Sequence, residues 1–205
     1  MTIALQGRAA LVISECQRGI VEPGMGGFDA LIAQVRDRAI LPRIAGLAQA
    51  FRGAALPVFH LTIAHRPDFA DVLPNSLIAA LARKNRFVVA GTPQADIVAE
   101  LAPEPSDLVV ERSSGMIGFL GTSLDAMLRR MDIRTVVMTG VSTNIAVTGC
   151  TMVAADLGYH VVLAEDCIAA SDRETHDIII REQLRMIARV ASAADVEASL
   201  LTPAG

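Results

Sequence analysis

A carboxylate, an arginine and a strand-to-helix turn stand where apolar segments of this chain end, and together they could move a proton or hold an anion. Glu15 stands one residue, Ser14, past the apolar run Ala9-Ala10-Leu11-Val12-Ile13. Its carboxylate is therefore expected at a crevice floor, partly desolvated, with its pKa pushed upward. A raised pKa suits a general acid near neutral pH. The plainer alternative is a loop Glu in water or in an ion pair. Arg112 closes Val109-Val110-Glu111-Arg112. A guanidinium stays protonated and presents a planar fork, so it can hold a carboxylate or stabilise an oxyanion but cannot shuttle a proton. A solvated Arg closing a strand is the alternative here. The third feature is Thr139-Gly140-Val141-Ser142-Thr143-Asn144-Ile145-Ala146-Val147. It reads as strand, tight turn and helix, with Gly140 ending the strand, Ser142 or Thr143 capping, and Gly158 as C-cap. Ile145, Val147, Val153, Ala154 and Leu157 form the helix's expected apolar face. Such a junction aims backbone N–H groups and a helix dipole at an anion or a polarised carbonyl.

Other reactive residues fit poorly with chemistry. His60 and His65 flank the exit of Pro57-Val58-Phe59-His60-Leu61-Thr62 without a nearby carboxylate, so two histidines alone give no zinc site. His60 reads as a satisfied strand residue, His65 as pocket lining. Cys150 lies one helical turn past Ala146, away from the dipole that lowers a thiol's pKa, and reads as core. Cys16 stands beside the negative Glu15, and Cys167 lies in a later loop. Gly24-Met25-Gly26-Gly27 lacks the spacing of a nucleotide-binding turn and reads as a flap. No cofactor or metal is implied.

The elements that must position these groups follow from patterning. Strands are expected near Ala9–Ile13, Pro57–Thr62, Asp107–Glu111, Thr135–Met138, His160–Ala164 and Arg189–Ala191. Helices are expected from Asp29 to Phe51 with a kink or restart at Pro42, near Ser76–Arg83 and Ala95–Leu101, and from a capping box at Thr122–Asp125 through Arg130. Further helices follow Ala146, run from a capping pattern at Ser171–Glu174 to about Ile187, and begin near Ala194. Glu15 to Gly27 is expected as a long loop. The alternation implies a mostly parallel sheet with right-handed crossovers and helices on both faces, in one domain spanning residues 1–205. Ligands then bind beyond the carboxyl ends of the strands where strand order reverses.

Composition agrees. Of 205 residues 52% are hydrophobic and only 3% aromatic, with no Trp, as expected for an aliphatic core around a parallel sheet. A net charge of −4 offers no footprint for nucleic acid. Three cysteines without C-x-x-C spacing imply no disulfide framework. Charged residues interrupt every long apolar run, and no signal peptide is evident, so no membrane partner and a cytoplasmic location are expected.

Gly-Val-Ser-Thr-Asn-Ile-Ala-Val with Gly158-Tyr159-His160-Val161-Val162 resembles the signature of the isochorismatase-like (cysteine hydrolase) superfamily, Gly-Val-x-Thr-x-x-Cys-Val, with Ala146 where its nucleophilic cysteine stands. Thiolate chemistry at that position is thereby excluded. Ile13-Ser14-Glu15-Cys16-Gln17 resembles the family's Ile-Asp-x-Gln, with Glu15 at the catalytic Asp. Arg112, ahead of Gly118-Phe119-Leu120-Gly121-Thr122, stands where the family's Lys is found, with Ser113 as the competing assignment. The resemblance spans Leu11 to about Val196. It implies a three-layer α/β/α fold with a six-stranded, mainly parallel sheet, a homo-oligomer (dimer or tetramer), and a cis peptide between Val141 and Ser142. Glu15, Arg112 and Ala146 are then the catalytic positions. Gln17, His65 and Phe119, with Val141, Ser142, Asn144 and Ile145, are the substrate-binding ones, and N–H groups around Ile145 and Ala146 bind a polarised oxygen.

Three functions follow as expectations. The first is a hydrolase of a small anionic metabolite working without cysteine, as isochorismatases do: an acidic residue protonates a vinyl ether carbon and water attacks the oxocarbenium centre. The second is a binding or structural member without catalysis. The third is a C–N amidohydrolase whose Cys is replaced by Ala146.

Overall fold

The computed structural model describes residues 3–201. Six strands form one sheet: β1 (Arg8–Ser14), β2 (Val58–Ile63), β3 (Leu108–Arg112), β4 (Ile133–Val141), β5 (His160–Ala169) and β6 (Arg189–Ala191), in the order β3-β2-β1-β4-β5-β6. Every neighbouring pair is parallel. Alternate residues of a strand face opposite sides. Leu11 and Ile13 accordingly join one core with Ile44, Leu47 and Phe51, while Ala10 and Val12 join a second with Leu124, Leu128 and Cys150. Helices α2 (Asp29–Asp37), α3 (Ile40–Gly53) and α8 (Ala193–Leu200) supply the first core, and α5 (Leu124–Arg130) and α6 (Thr148–Asp156) the second. This is the expected three-layer α/β/α architecture. Strand order reverses between β1 and β4, so the crevice lies where Ser14 pairs with Gly140.

Several local expectations are corrected. A short helix, α1 (Arg18–Val21), interrupts the loop expected from Glu15 to Gly27. The long helix divides at Arg38–Ala39, where Ala39 is left-handed, so Pro42 falls in the first turn of α3, where its missing N–H costs nothing. α4 (Leu77–Asn85) forms with Ser76 as its cap, but Ala95–Leu101 contains only the end of one short 3-10 turn, Pro93–Ala95, and the whole of another, Ala99–Leu101. Thr122–Asp125 makes no capping box: the Thr122 hydroxyl donates to Gly118 O, and the Asp125 carboxylate takes Arg129 and Tyr159. Asp172, not Ser171, caps α7 (Arg173–Glu182), which stops before a 3-10 turn at Leu184–Met186. A capping box does form at Ser192 and Asp195, ahead of α8.

β4 does not end at Gly140. It runs on to Val141 because Gly140 takes φ +92°, and an added Cβ would lie 2.1 Å from Ser14 O. Only glycine lets β4 pass this close to β1 beside the crevice. β5 is also longer than expected. Between its Leu163 and Ile168 pairings it advances five residues while β4 advances two, and the extra residues bulge out, carrying Glu165 and Asp166 off the ladder.

Candidate active site

Glu15 leaves β1 with φ +51°, its N–H still bonded to Leu61 O at 2.9 Å. That conformation turns the carboxylate toward β3, where it meets the guanidinium of Arg112 through Nη2 in an ion pair. Side-chain exposure is 5% for Arg112 and 15% for Glu15, so the pair is almost closed to water. Burial is the largest influence on Glu15 and pushes its carboxyl above the usual range, while the charge and hydrogen bond of Arg112 pull it partly back. Arg112 also donates from Nη1 to Thr62 O at 3.4 Å, and its Nε–H, fully buried, has no partner. Thr62 Oγ1 is likewise buried and unpartnered.

Ser113, the competing assignment, turns its hydroxyl to the Asp71 carboxylate and leaves Arg112 as the cation facing Glu15. Its carbonyl accepts from His65 Nδ1 at 2.7 Å, so that nitrogen carries the ring proton; burial keeps the imidazole below its ordinary pKa, and the ring packs at a tilt against Phe69. His60, as expected of a satisfied strand residue, reaches Asp107 at 3.3 Å.

Gln17 is buried, and main chain consumes its amide: Nε2 donates to Ile63 O at 2.8 Å and Ala95 O at 2.7 Å, and Oε1 accepts from Ile63 N at 2.8 Å. It braces the floor of the crevice and has no N–H left for a ligand. Phe119 packs in the core against the ring of Tyr159, which stands ahead of β5 at the strand's amino end. The expected flap is tied down, with Gln94 Nε2 donating to Met25 O at 2.8 Å.

The turn after β4 begins at a cis peptide between Val141 and Ser142. A single wide turn, Thr143–Val147, follows and leads into α6. Neither Ser142 nor Thr143 caps it through a side chain. The Ser142 carbonyl accepts from Ile145 N at 3.2 Å and Val147 N at 3.1 Å. Ile145's N–H thus turns inward, which removes it from the expected pair of oxygen-binding donors. Val141 and Ala146 are buried, Ile145 and Ser142 half-buried, and Asn144 exposed. Farther along, Val147, Cys150 and Ala154 face the core, whereas Leu157, expected on that face, is exposed.

All three thiols are buried. Cys150 Sγ accepts from Gly118 N at 3.3 Å, and desolvation pushes its pKa up to about 11. Burial raises Cys167 to about 12 and Cys16 higher still, with Glu15 adding to the latter. None is a thiolate near neutral pH. Among the described residues no group of three or more His, Cys, Asp or Glu side chains is placed to hold a metal ion, and no helix is long and apolar enough to cross a membrane.

Sequence reasoning missed a polar chain behind the turn. Thr143 Oγ1 lies 2.9 Å from Nδ1 of His176 on α7, and His176 Nε2 lies 2.9 Å from Glu165 Oε1 in the β5 bulge. Arg38 donates to that same oxygen at 2.6 Å and clamps both ends of the bulge through Glu165 O and Ile168 O. One signal was present: His176, Ile179 and Ile180 share the spacing of one helix face, which places a polar ring on the side that packs.

The isochorismatase domain matches residues 9–195 of this chain. YecD, an isochorismatase family protein of Escherichia coli O157:H7, is 33% identical over 188 residues, 91% of this chain and 93% of that protein. The ureidoacrylate amidohydrolase RutB of Methylorubrum extorquens is 29% identical over 153 residues, and the match spans 67% of this chain and 60% of the longer relative. An isochorismatase family protein from Desulfovibrio vulgaris has a similar structure, with a TM-score of 0.82 at 27% identity, covering 95% of this chain and 98% of that one.

Proposed function

The chain belongs to the isochorismatase family, and from that premise we propose that it is a hydrolase of a small anionic metabolite, working by general acid catalysis without a cysteine. The observation that carries this reading is Glu15: a desolvated carboxylate fixed against Arg112, with alanine at position 146 and no ionised thiol nearby. Burial favours the protonated form that an acid must hold at the start of a cycle.

Arg112 supports the anionic substrate. Its buried Nε–H lacks a partner, a deficit of about 1–3 kcal/mol that an oxygen of the substrate would relieve. A second carboxylate beside Glu15 would raise the Glu15 pKa further, because like charges share one site poorly. Substrate binding and loading of the acid would then reinforce each other. In the reaction, Glu15 gives its proton to the vinyl ether carbon, water adds to the resulting oxocarbenium carbon, and the proton lost by that water returns to the Glu15 carboxylate; the hemiketal so formed then breaks its ether C–O bond, releasing a carbonyl product and an alcohol whose oxygen takes up the hemiketal hydroxyl proton. The Ser142–Val147 turn would bind the polarised oxygen, with its remaining N–H groups supplying the donors.

A second reading rests on the relative named as an amidohydrolase: this chain would act on a C–N bond if its cysteine were restored. Both are tested by assaying vinyl ether and ureido or amide substrates with the wild type, Glu15→Gln and Ala146→Cys. Vinyl ether turnover lost in Glu15→Gln supports the acid mechanism. Amidase activity appearing only in Ala146→Cys supports the second reading. Binding without turnover by any variant overturns both and favours a binding member of the family.

A further inference from the structure

The turn after β4 is held from behind by groups that no step of the proposed chemistry uses. His176 is the one fully buried residue of α7, so this helix docks its inner face through an imidazole alongside the partly buried Ile179 and Ile180. Thr143 is also fully buried, which rules it out as a nucleophile despite its hydroxyl–imidazole–carboxylate arrangement. The direction of the chain follows from its ends. Glu165, held at about 2 by His176 and Arg38, is an ionised acceptor, so His176 Nε2 carries the ring proton. The Thr143 hydroxyl meets the other ring nitrogen, Nδ1, at 2.9 Å. That bond fixes the Thr143 rotamer, and with it the first residue of the turn.

The supports are spread through the fold. Arg38 is the C-cap of α2, and the left-handed Ala39 behind it lets the chain break there. Glu165 leaves the ladder only because β5 bulges, and Arg38 pins that bulge at both ends. Three elements, α2, β5 and α7, thus converge on one hydroxyl at the start of one turn.

We infer that His176, oriented by Glu165 and Arg38, is a positioning residue that sets the main chain from Thr143 to Ala146 at the geometry needed by a polarised substrate oxygen. The inference rests on the reading of that turn given above. It extends that reading by assigning a second group of residues to the reaction, none of which touches the substrate. A misplacement of about 1 Å in such a turn lowers turnover by about 100-fold.

The test compares Thr143→Val, which keeps the shape and removes the hydroxyl, with Thr143→Ser, which keeps the hydroxyl, and adds Glu165→Gln at a partly exposed site. Two readouts are taken on the full chain: hydrogen exchange of the amides of residues 142–148, and kcat and KM on whichever substrate the wild type turns over. Thr143→Val should exchange at least tenfold faster at 142–148, with the amides of β1 and β3 unchanged. Its kcat should fall at least tenfold while KM stays within twofold. Thr143→Ser should recover most of both, and Glu165→Gln should lie between. Unchanged exchange in Thr143→Val overturns the inference, whether or not the wild type has turnover. So does a Thr143→Ser variant as impaired as Thr143→Val, or faster exchange with unaltered kcat. If no substrate is turned over, the proposed function fails separately, and exchange alone decides whether the chain of groups holds the turn.

Discussion

Glu15 and Arg112, from β1 and β3, meet as a buried charge pair with one further hydrogen bond, from Arg112 to Thr62 O, whereas the turn at Ser142–Val147, from β4, is held by a chain of hydrogen bonds reaching out to α2. The first arrangement leaves polar capacity unused: Arg112 Nε and Thr62 Oγ1 are buried without partners. The second uses every member from end to end. This is the division expected between groups that act on a ligand and groups that hold others in place, since an unpaired buried donor is costly unless something else binds it. The same division sets the response to acid. Burial raises Glu15, so its protonation favours the folded state, whereas hydrogen bonds depress Glu165, so its protonation opposes it.

The comparison breaks most sharply at Glu15. Glu15→Gln keeps the shape and cannot deliver a proton, so turnover should fall by about 10²–10⁴-fold with the fold retained. Steady-state kinetics and circular dichroism on the same samples decide it. Turnover within tenfold of wild type would move the acid elsewhere. Alkylation gives an independent check, because full inactivation on modifying Cys150 alone, with the fold intact, would revive a thiol mechanism.

Arg112→Met should come next. Removing one member of a buried pair strands the other charge, at a cost of about 3–5 kcal/mol. The sign with pH is fixed: Glu15 without its cation has a folded pKa higher than before, so the deficit is present at neutral pH and shrinks as pH falls and the carboxyl protonates. Urea titrations at pH 7 and pH 5 measure it. A deficit that is equal or larger at the lower pH would mean that Glu15 does not depend on Arg112.

Gly140→Ala tests the joint between the two halves. The new methyl would lie 2.1 Å from Ser14 O at a positive φ, so both strands must part. Overpacking of this kind costs about 1–3 kcal/mol, and here it should displace Glu15 and the turn together. Stability falling while turnover is unchanged would show that the spacing of β1 and β4 does not set the site.

How much of this was legible in the sequence differs between the halves for a physical reason. Glu15 and Arg112 are read from local pattern, because each comes one residue past an apolar run whose strand identity fixes where the side chain emerges. β6 was located to the residue, and all six strands were found. The turn's support is made of contacts between residues far apart in the chain, Arg38 with Glu165 and Thr143 with His176, and no local pattern encodes them. The bulge that frees Glu165 looks in sequence like the end of a strand. Gln17 and Phe119 went the other way. Hydrogen bonding to Ile63 and Ala95 gives Gln17, and packing on Tyr159 gives Phe119, structural partners that spacing cannot reveal.

The smallest expected effect sharpens the comparison most. Glu165 has a folded pKa of about 2 against an ordinary 4.5, with His176 the largest cause and Arg38 contributing. A depressed carboxyl stabilises the fold above its unfolded pKa, and that contribution is lost as pH falls from about 4.5 toward 2. Its side chain is 36% exposed, so solvent screening keeps the contribution well below what the shift alone suggests. Glu165→Gln should therefore be slightly less stable than wild type at pH 7. The difference in Tm should close as pH approaches 2, because the wild type then loses the same interaction. A difference that stays constant from pH 7 to pH 2 would mean that Glu165 acts through packing alone. The ionised link between Arg38 and His176 would then be idle, and the two halves of the site would no longer differ in how they are held.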